Sequence, residues 1–111
     1  VGGLGLVVGS LDKDLVVNLN PKASIEAISN LNPLQFKWKP EVNKGDFVVA
    51  GFFAQEVAQV IPEAVMIYEG KRHKDEHTIN YNIITAYTVS AIQALIDEVK
   101  ELKDRIKKLE D

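Results

Sequence analysis

Two histidines and a glycine-rich opening are the features of this sequence whose residue types and spacing first suggest chemistry. His73 and His77 lie four residues apart, a spacing that places two metal ligands on one face when the segment is helical. The charged residues around them are instead typical of a β-hairpin arm, in which residues four apart are separated by about 13 Å along the strand. We therefore predict a solvated loop here and no metal site.

Nucleotide and thiol chemistry find no support in the sequence. Gly2, Gly3 and Gly5 are only superficially similar to a phosphate-binding loop, because the Lys-Ser or Lys-Thr end of that motif is absent. The chain also contains no cysteine, which excludes a thiol nucleophile, a Cys-ligated zinc ion and a disulfide framework. The sequence therefore predicts no cofactor.

Composition and charge predict one soluble globular domain. The 111 residues carry 13 Lys and Arg against 16 Asp and Glu, a net charge of −3, and 46% of them are hydrophobic. No apolar run reaches the roughly 18 residues of a membrane span, and the acidic balance disfavours binding to nucleic acid. We therefore predict that neither a membrane nor a nucleic acid is a partner of this chain. The opening residues lack Met and a basic leader, so we expect a piece of a larger protein without a signal peptide.

The elements predicted before residue 82 are short and mixed. Asn20 as N-cap and Pro21 at the first helical position begin a helix, which Asn32-Pro33 ends. The apolar face of this helix comprises Ile25, Ile28 and Leu31. A second helix at 54–60 stops at Pro62, and its inward residues are Val57, Val60 and Ile61. Strands are predicted at 15–19, 34–39, 47–52, 64–68 and 78–81.

A long helix over about 82–110 carries a regular apolar seam with spacings of 3, 4, 3, 4 and 3 residues. At 1.5 Å per residue it spans roughly 42 Å, more than the rest of a domain this size can cover. Part of it must therefore meet another helix, most simply a copy of itself. The seam consists of Ile92, Leu95, Val99, Leu102, Ile106 and Leu109.

Two points about this seam stay open at the level of residue spacing. It can pack on the front of its own chain, or it can join chains as in a generic coiled-coil adaptor. Ile and Val at heptad position a with Leu at position d favour a parallel dimer, so the helix taken alone predicts two copies.

Five segments, in this order and spacing, resemble a known family over residues 11 to 110. The family is the intramolecular chaperone domain at the C-terminus of phage tail spikes, tail fibres and neck appendages, also called peptidase family S74 and found in myelin regulatory factor. The segments are Asn32-Pro-Leu-Gln-Phe-Lys-Trp-Lys39, Gly51-Phe-Phe-Ala-Gln-Glu-Val57, Ile61-Pro-Glu-Ala-Val65, Thr78-Ile-Asn-Tyr81 and Glu101-Leu-Lys-Asp-Arg-Ile-Lys-Lys-Leu-Glu110.

The resemblance implies a homotrimer, which replaces the dimer suggested by the seam residues. It implies an α+β fold, with a segment at 1–10 around a cleavage edge, a small mixed β/α globular part at 11–81 and a helix at 82–111 forming a trimeric coiled coil. It also implies two partners, further copies of the chain and the upstream fibre segment of the same polypeptide. Such a domain acts in the cytoplasm of the infected host cell, cuts itself off once by serine-dependent autoproteolysis, and is absent from the mature virion.

The resemblance places the catalytic serine at the N-terminal edge of the domain, where this sequence departs from the family pattern. An alignment on Asn18-Leu19 puts Leu11 at the serine position and Val16 at the lysine position, so both catalytic residues would be missing. A slip of one residue makes Ser10 the nucleophile. The charged residues beside it are Asp12, Lys13 and Asp14.

A serine needs a base to lose its proton near neutral pH, and Lys13 can serve only if burial or a cationic neighbour lowers its pKa. The family spacing of five residues from serine to lysine falls on Leu15, so it is not kept. Two interpretations follow. Either Ser10 acts at a variant site, with a base supplied by another chain, or the domain is a trimerisation module that does not cleave.

Overall fold

A computed structural model describes residues 16–37, 48–68 and 76–111. They form two units, one made of the described residues of 1–29 with 80–111, here called the helical unit, and one made of those of 30–79, here called the strand unit. None of the described helices is long and apolar enough to cross a membrane. In chain order the elements are α1 (Pro21–Ser29), β1 (Leu34–Lys37), β2 (Val48–Gly51), α2 (Ala54–Val60), a 3₁₀ turn (Pro62–Ala64), β3 (Val65–Tyr68), β4 (Glu76–Ile79) and α3 (Tyr81–Glu110).

Two antiparallel strand pairs make up the sheets of the strand unit. In β1 and β2, Leu34 lies opposite Gly51 and the pairing ends at Lys37 opposite Val48. In β3 and β4, Val65 lies opposite Ile79, and Tyr68 opposite Glu76. Neither described pair joins the other, so this part consists of two small hairpin-like sheets.

The buried core of the strand unit lies on α2 and the turn after it. Val57, Ile61 and Ala64 are each at most 1% exposed, and α2 packs against both β3 and β4. Pro62 has no N–H to donate, so the α-helix ends before it. The Ile61 N–H donates to the Val57 carbonyl at 2.7 Å, and the Ala64 N–H then donates to the Ile61 carbonyl at 3.0 Å, which tightens the chain into the 3₁₀ turn.

The predicted fold class is confirmed in its coarser form, a small strand and helix part followed by one long helix. The Asn20 side chain accepts from the Ala23 N–H at 3.0 Å, which confirms the predicted helix start. Val57 and Ile61 are buried as predicted, and Val60 is half-buried.

Three predicted boundaries are wrong. Residues 16–20 have no regular secondary structure, although a strand was expected at 15–19. Helix α1 ends at Ser29, so Leu31 lies beyond it. Strand β4 ends at Ile79, because the Asn80 side chain caps the following helix, which has Tyr81 as its first residue.

The core of the strand unit generates a stability prediction that uses two isoleucines. Ile61→Ala should lower the free energy of unfolding by about 2–5 kcal/mol, because it removes three buried carbons and leaves a cavity. Ile67 is 60% exposed on β3, so Ile67→Ala should change it by only about 0.5 kcal/mol. Urea unfolding of both variants at one protein concentration measures the difference, and equal losses would contradict the described core.

Candidate functional site

Helix α3 is the longest described element, and polar or charged side chains stabilise both of its ends. Its 30 residues extend about 45 Å. The Asn80 side chain accepts from the Asn82 N–H at 3.0 Å and so satisfies one of the free donors of the first turn. Lys107 and Lys108 lie in the last turn, where positive charge interacts favourably with the helix dipole.

The first half of α3 packs against α1 within the helical unit. The buried residues of this contact are Ile84 and Ala91, seven positions apart on α3, and Ser24 on α1. Ser24 and Ala91 are small, so the two helices can approach closely. The Ser24 hydroxyl donates to the Asn20 carbonyl at 2.9 Å, so its burial leaves no donor unsatisfied.

Beyond Ala91, no described residue of α3 is buried. Every residue of the predicted seam is exposed, by 46% at Leu95 to 87% at Leu109. Within the helical unit, α1 therefore leaves the seam uncovered. A continuous apolar stripe of this length on a water-facing helix marks an interaction surface.

The stripe is wider near α1 than at its far end. Val89 and Ile96, both at heptad position e, are 48% and 46% exposed beside the seam. With about 100° of rotation per residue, Leu95 and Val89 lie about 120° apart around the helix axis. From Val99 to Leu109 the apolar sector narrows to about 80°.

A shallow groove of about 340 Å³ follows this wider part of the stripe. Aliphatic side chains form its floor, and two lysine side chains stand at its edge. The lining residues are Ile92, Leu95, Ile96, Val99, Lys100 and Lys103.

Charged residues flank the seam on both sides. The Arg105 guanidinium donates to Glu101 Oε1 at 2.7 Å, one helical turn earlier. Both side chains are more than 60% exposed, so water and salt screen the pair and it adds little stability to the single chain.

A second groove of about 430 Å³ lies in the helical unit, where the segment before α1 meets α3. Asp97 is the one charged residue among its described lining residues, so no pair of titratable groups is available there for acid–base chemistry. The groove is lined by Asn18, Leu19, Pro21, Ala86, Val89, Ser90, Gln93, Ala94 and Asp97.

The candidate catalytic residues Ser10, Asp12, Lys13 and Asp14 lie outside the described residues, as does His73. Their predicted roles stay predictions. His77 is described and lies half-buried on β4. Across 16–37, 48–68 and 76–111, no group of three or more His, Asp or Glu side chains has the arrangement of a metal site.

Reasoning from spacing alone misses two features of this surface. One is the contact with α1, whose available signal was the seven-residue interval between Ile84 and Ala91. The other is the widening of the stripe by Val89 and Ile96, which share that same interval on the neighbouring face. Apolar residues at position e were hidden by the stronger a/d pattern.

Two comparisons with known proteins give a match over about half of the chain. Residues 12–66 match the model of the Peptidase_S74 family, described as a chaperone of endosialidase. Over 62 residues the chain is 44% identical to the long tail fiber protein Gp37 of Salmonella phage S16. That alignment covers 56% of this chain and 8% of the relative. The family match spans α1 to β3 and ends before α3 begins.

The contact between α1 and α3 predicts that alanines on one helix respond differently to the same enlargement. Ala91 is 2% exposed, so Ala91→Leu should overpack the contact and lower the free energy of unfolding by about 1–3 kcal/mol. Ala86 is exposed on the same helix, and Ala86→Leu should change it by less than about 0.5 kcal/mol. Thermal and urea unfolding of the two variants measure this, and a harmless Ala91→Leu would contradict the packing described.

Proposed function

We propose, since the chain belongs to the Peptidase_S74 family of chaperone domains in phage fibre proteins, that it brings three copies of its fibre protein together and is then released by self-cleavage. A chaperone role is what the family and the phage fibre relative support. The number of chains, the cleavage and the release are the proposed part. The setting would be the cytoplasm of the infected host cell during virion assembly, with the domain absent from the mature particle.

The observation that carries the proposal is the exposed seam on α3. Fully burying a Val, Leu or Ile side chain stabilises by about 1.5–3 kcal/mol, and six such residues face water along one stripe. Association of copies through the stripe removes this apolar surface from water. The same residues on the single chain have no other described cover.

A local association surface suits the folding problem of a long fibre. Fibres with long-range pairings between chains nucleate slowly, because the entropy of closing large loops is lost before the pairings form. Once the α3 helices have met, the fibre segments are held at a high effective concentration and their pairing becomes effectively intramolecular. The partners are therefore further copies of the chain and the fibre segment of the same polypeptide.

The width of the stripe favours three copies over two. A helix in a dimer faces one neighbour, so a strict a/d seam is enough to cover the contact. In a threefold arrangement the directions to the two neighbours diverge by about 60°, and a wider apolar sector is buried. Val89 and Ile96 supply this extra width, although Ile and Val at a with Leu at d favour dimers in isolated coiled coils.

Release by self-cleavage would make assembly one-way, because the cut chaperone no longer contributes to the binding equilibrium. Ser10 is the proposed nucleophile, with Asp12, Lys13 and Asp14 as the charged residues beside it. A second candidate function, trimerisation without cleavage, is favoured by one observation. The family spacing from serine to lysine is not kept, since Leu15 stands at the lysine position.

The seam predicts the effect of one buried carboxylate. Leu102→Asp, or equally Val99→Asp, should abolish the trimer, because each places three charges at a common axis at a cost of several kcal/mol. Gln93→Asp adds the same carboxylate at an exposed position b, outside the apolar stripe, and should leave the trimer intact. Sedimentation equilibrium measures the mass of each variant, and a Leu102→Asp trimer would show that the seam is not the contact.

Cleavage is tested on a longer chain that contains upstream fibre residues. A cut beside Ser10 should appear on gels and by mass spectrometry, and it should vanish in Ser10→Ala while the trimer persists. Loss of the cut with loss of the trimer would instead reflect misassembly. A trimer that is uncut in both forms would favour the module without cleavage, and a cut that survives Ser10→Ala would exclude this nucleophile.

A further inference from the structure

We infer that the charged residues flanking the α3 seam align copies of this chain in a parallel, in-register arrangement. The inference rests on the proposed function, since it concerns the same surface and commits its occupant to a second copy of the chain. The residues that carry it are the described charges at heptad positions g and e, namely Glu98 and Arg105 at g with Lys103 and Glu110 at e.

In parallel coiled coils, a residue at position g lies beside the residue five positions later on the neighbouring helix. Glu98 then faces Lys103 of the next copy, and Arg105 faces Glu110 of the next copy. Both inter-chain pairs combine opposite charges. A shift by one heptad would put Glu98 beside Glu110 and lose both pairs. The charged residues at positions g and e therefore favour the in-register arrangement over one shifted by seven residues.

An antiparallel pair gives a poorer match. There position e faces position e and position g faces position g of the neighbour. Full overlap of the six seam residues keeps one favourable pair, Glu98 against Arg105, but it sets Lys103 against Ile96 and Glu110 against Val89. Two charges would then lie against two aliphatic side chains that the seam needs to cover. Charge complementarity and apolar cover are satisfied together in the parallel arrangement.

Glu98 and Lys103 are unfavourably placed within their own helix. Glu98 lies three residues before Glu101, and Lys103 lies between Lys100 and Lys107 at spacings of three and four. Like charges at these spacings destabilise a helix. Both side chains are exposed, and neither forms an ion pair with another described residue. A partner of opposite sign on another chain accounts for both.

Arg105 is already held at the flank by Glu101 at 2.7 Å. A guanidinium has five N–H donors in a planar fork, so Arg105 can keep its bond to Glu101 and donate to Glu110 of the next copy. The single-chain pair then orients the side chain that the assembly uses. Glu101 is thus a positioning residue for the inter-chain contact.

Charge-reversal variants distinguish an effect on assembly from an effect on the stability of the single helix. Glu98→Lys and Lys103→Glu each relieve like-charge neighbours on their own helix, so helicity should be kept or increased. Each also creates like-charge pairs between chains, so the dissociation constant should rise by about tenfold or more at low salt. The double variant Glu98→Lys with Lys103→Glu restores opposite charges and should recover to within about threefold of the original.

The absence of cysteine allows a direct test of orientation with single introduced thiols. Leu109→Cys places a thiol at a seam position near the end of α3. Parallel, in-register copies bring these thiols together, so mild oxidation should yield a cross-linked pair of chains. Asp104→Cys, on the opposite face of the same helix, is the matched control and should stay uncross-linked because the two sulfur atoms cannot meet.

The outcomes distinguish this inference from the proposed function. Weakened single variants, a recovered double variant and Leu109→Cys cross-links support the parallel register. An unchanged trimer in both single variants, a double variant as weak as either single one, or a trimer without Leu109→Cys cross-links would overturn it and leave the chaperone proposal standing. A monomer for the unaltered chain by sedimentation equilibrium would overturn both.

Discussion

The apolar seam on the outer turns of α3 is the feature on which the rest of this protein depends. Its six residues form one apolar stripe, and each of them is at least 46% exposed. Apolar surface of this extent has a cost in water. The helix nevertheless has the Asn80 side chain as an N-terminal cap and lysines in its last turn, and both stabilise its ends.

The contact with α1 prepares the seam for this role. Ser24 and Ala91 let the short helix lie close to the first half of α3, so the orientation of that half is settled within one chain. The second half stays exposed and carries the surface of the proposed association. In the strand unit, Val57, Ile61 and Ala64 form a separate small core around α2. Stabilisation within the chain and the proposed association between chains therefore use different residues of the same sequence.

Local sequence signals predicted the ends of helices correctly where a single side chain determines the backbone conformation. Asn20 followed by Pro21 identified the start of α1, and Pro62 identified the end of α2. Prediction failed where tertiary context decides. The mostly apolar segment at 15–19 suggested a strand, but a strand needs a neighbour to pair with, and none is described for residues 16–19. Asn80 reads equally well as a strand residue and as a helix cap.

The sequence by itself determined the long helix, its heptad seam, the flanking charges and the match to the family, because these depend on residue type and spacing along the chain. It also placed Ser10 as the proposed nucleophile only through the family pattern. The tertiary structure decided which part of α3 its own chain covers. Ile84 and Ala91 lie almost in line with Leu95 and Leu102 on the helix surface, so spacing alone cannot separate them. They differ because α1 reaches the first pair and not the second.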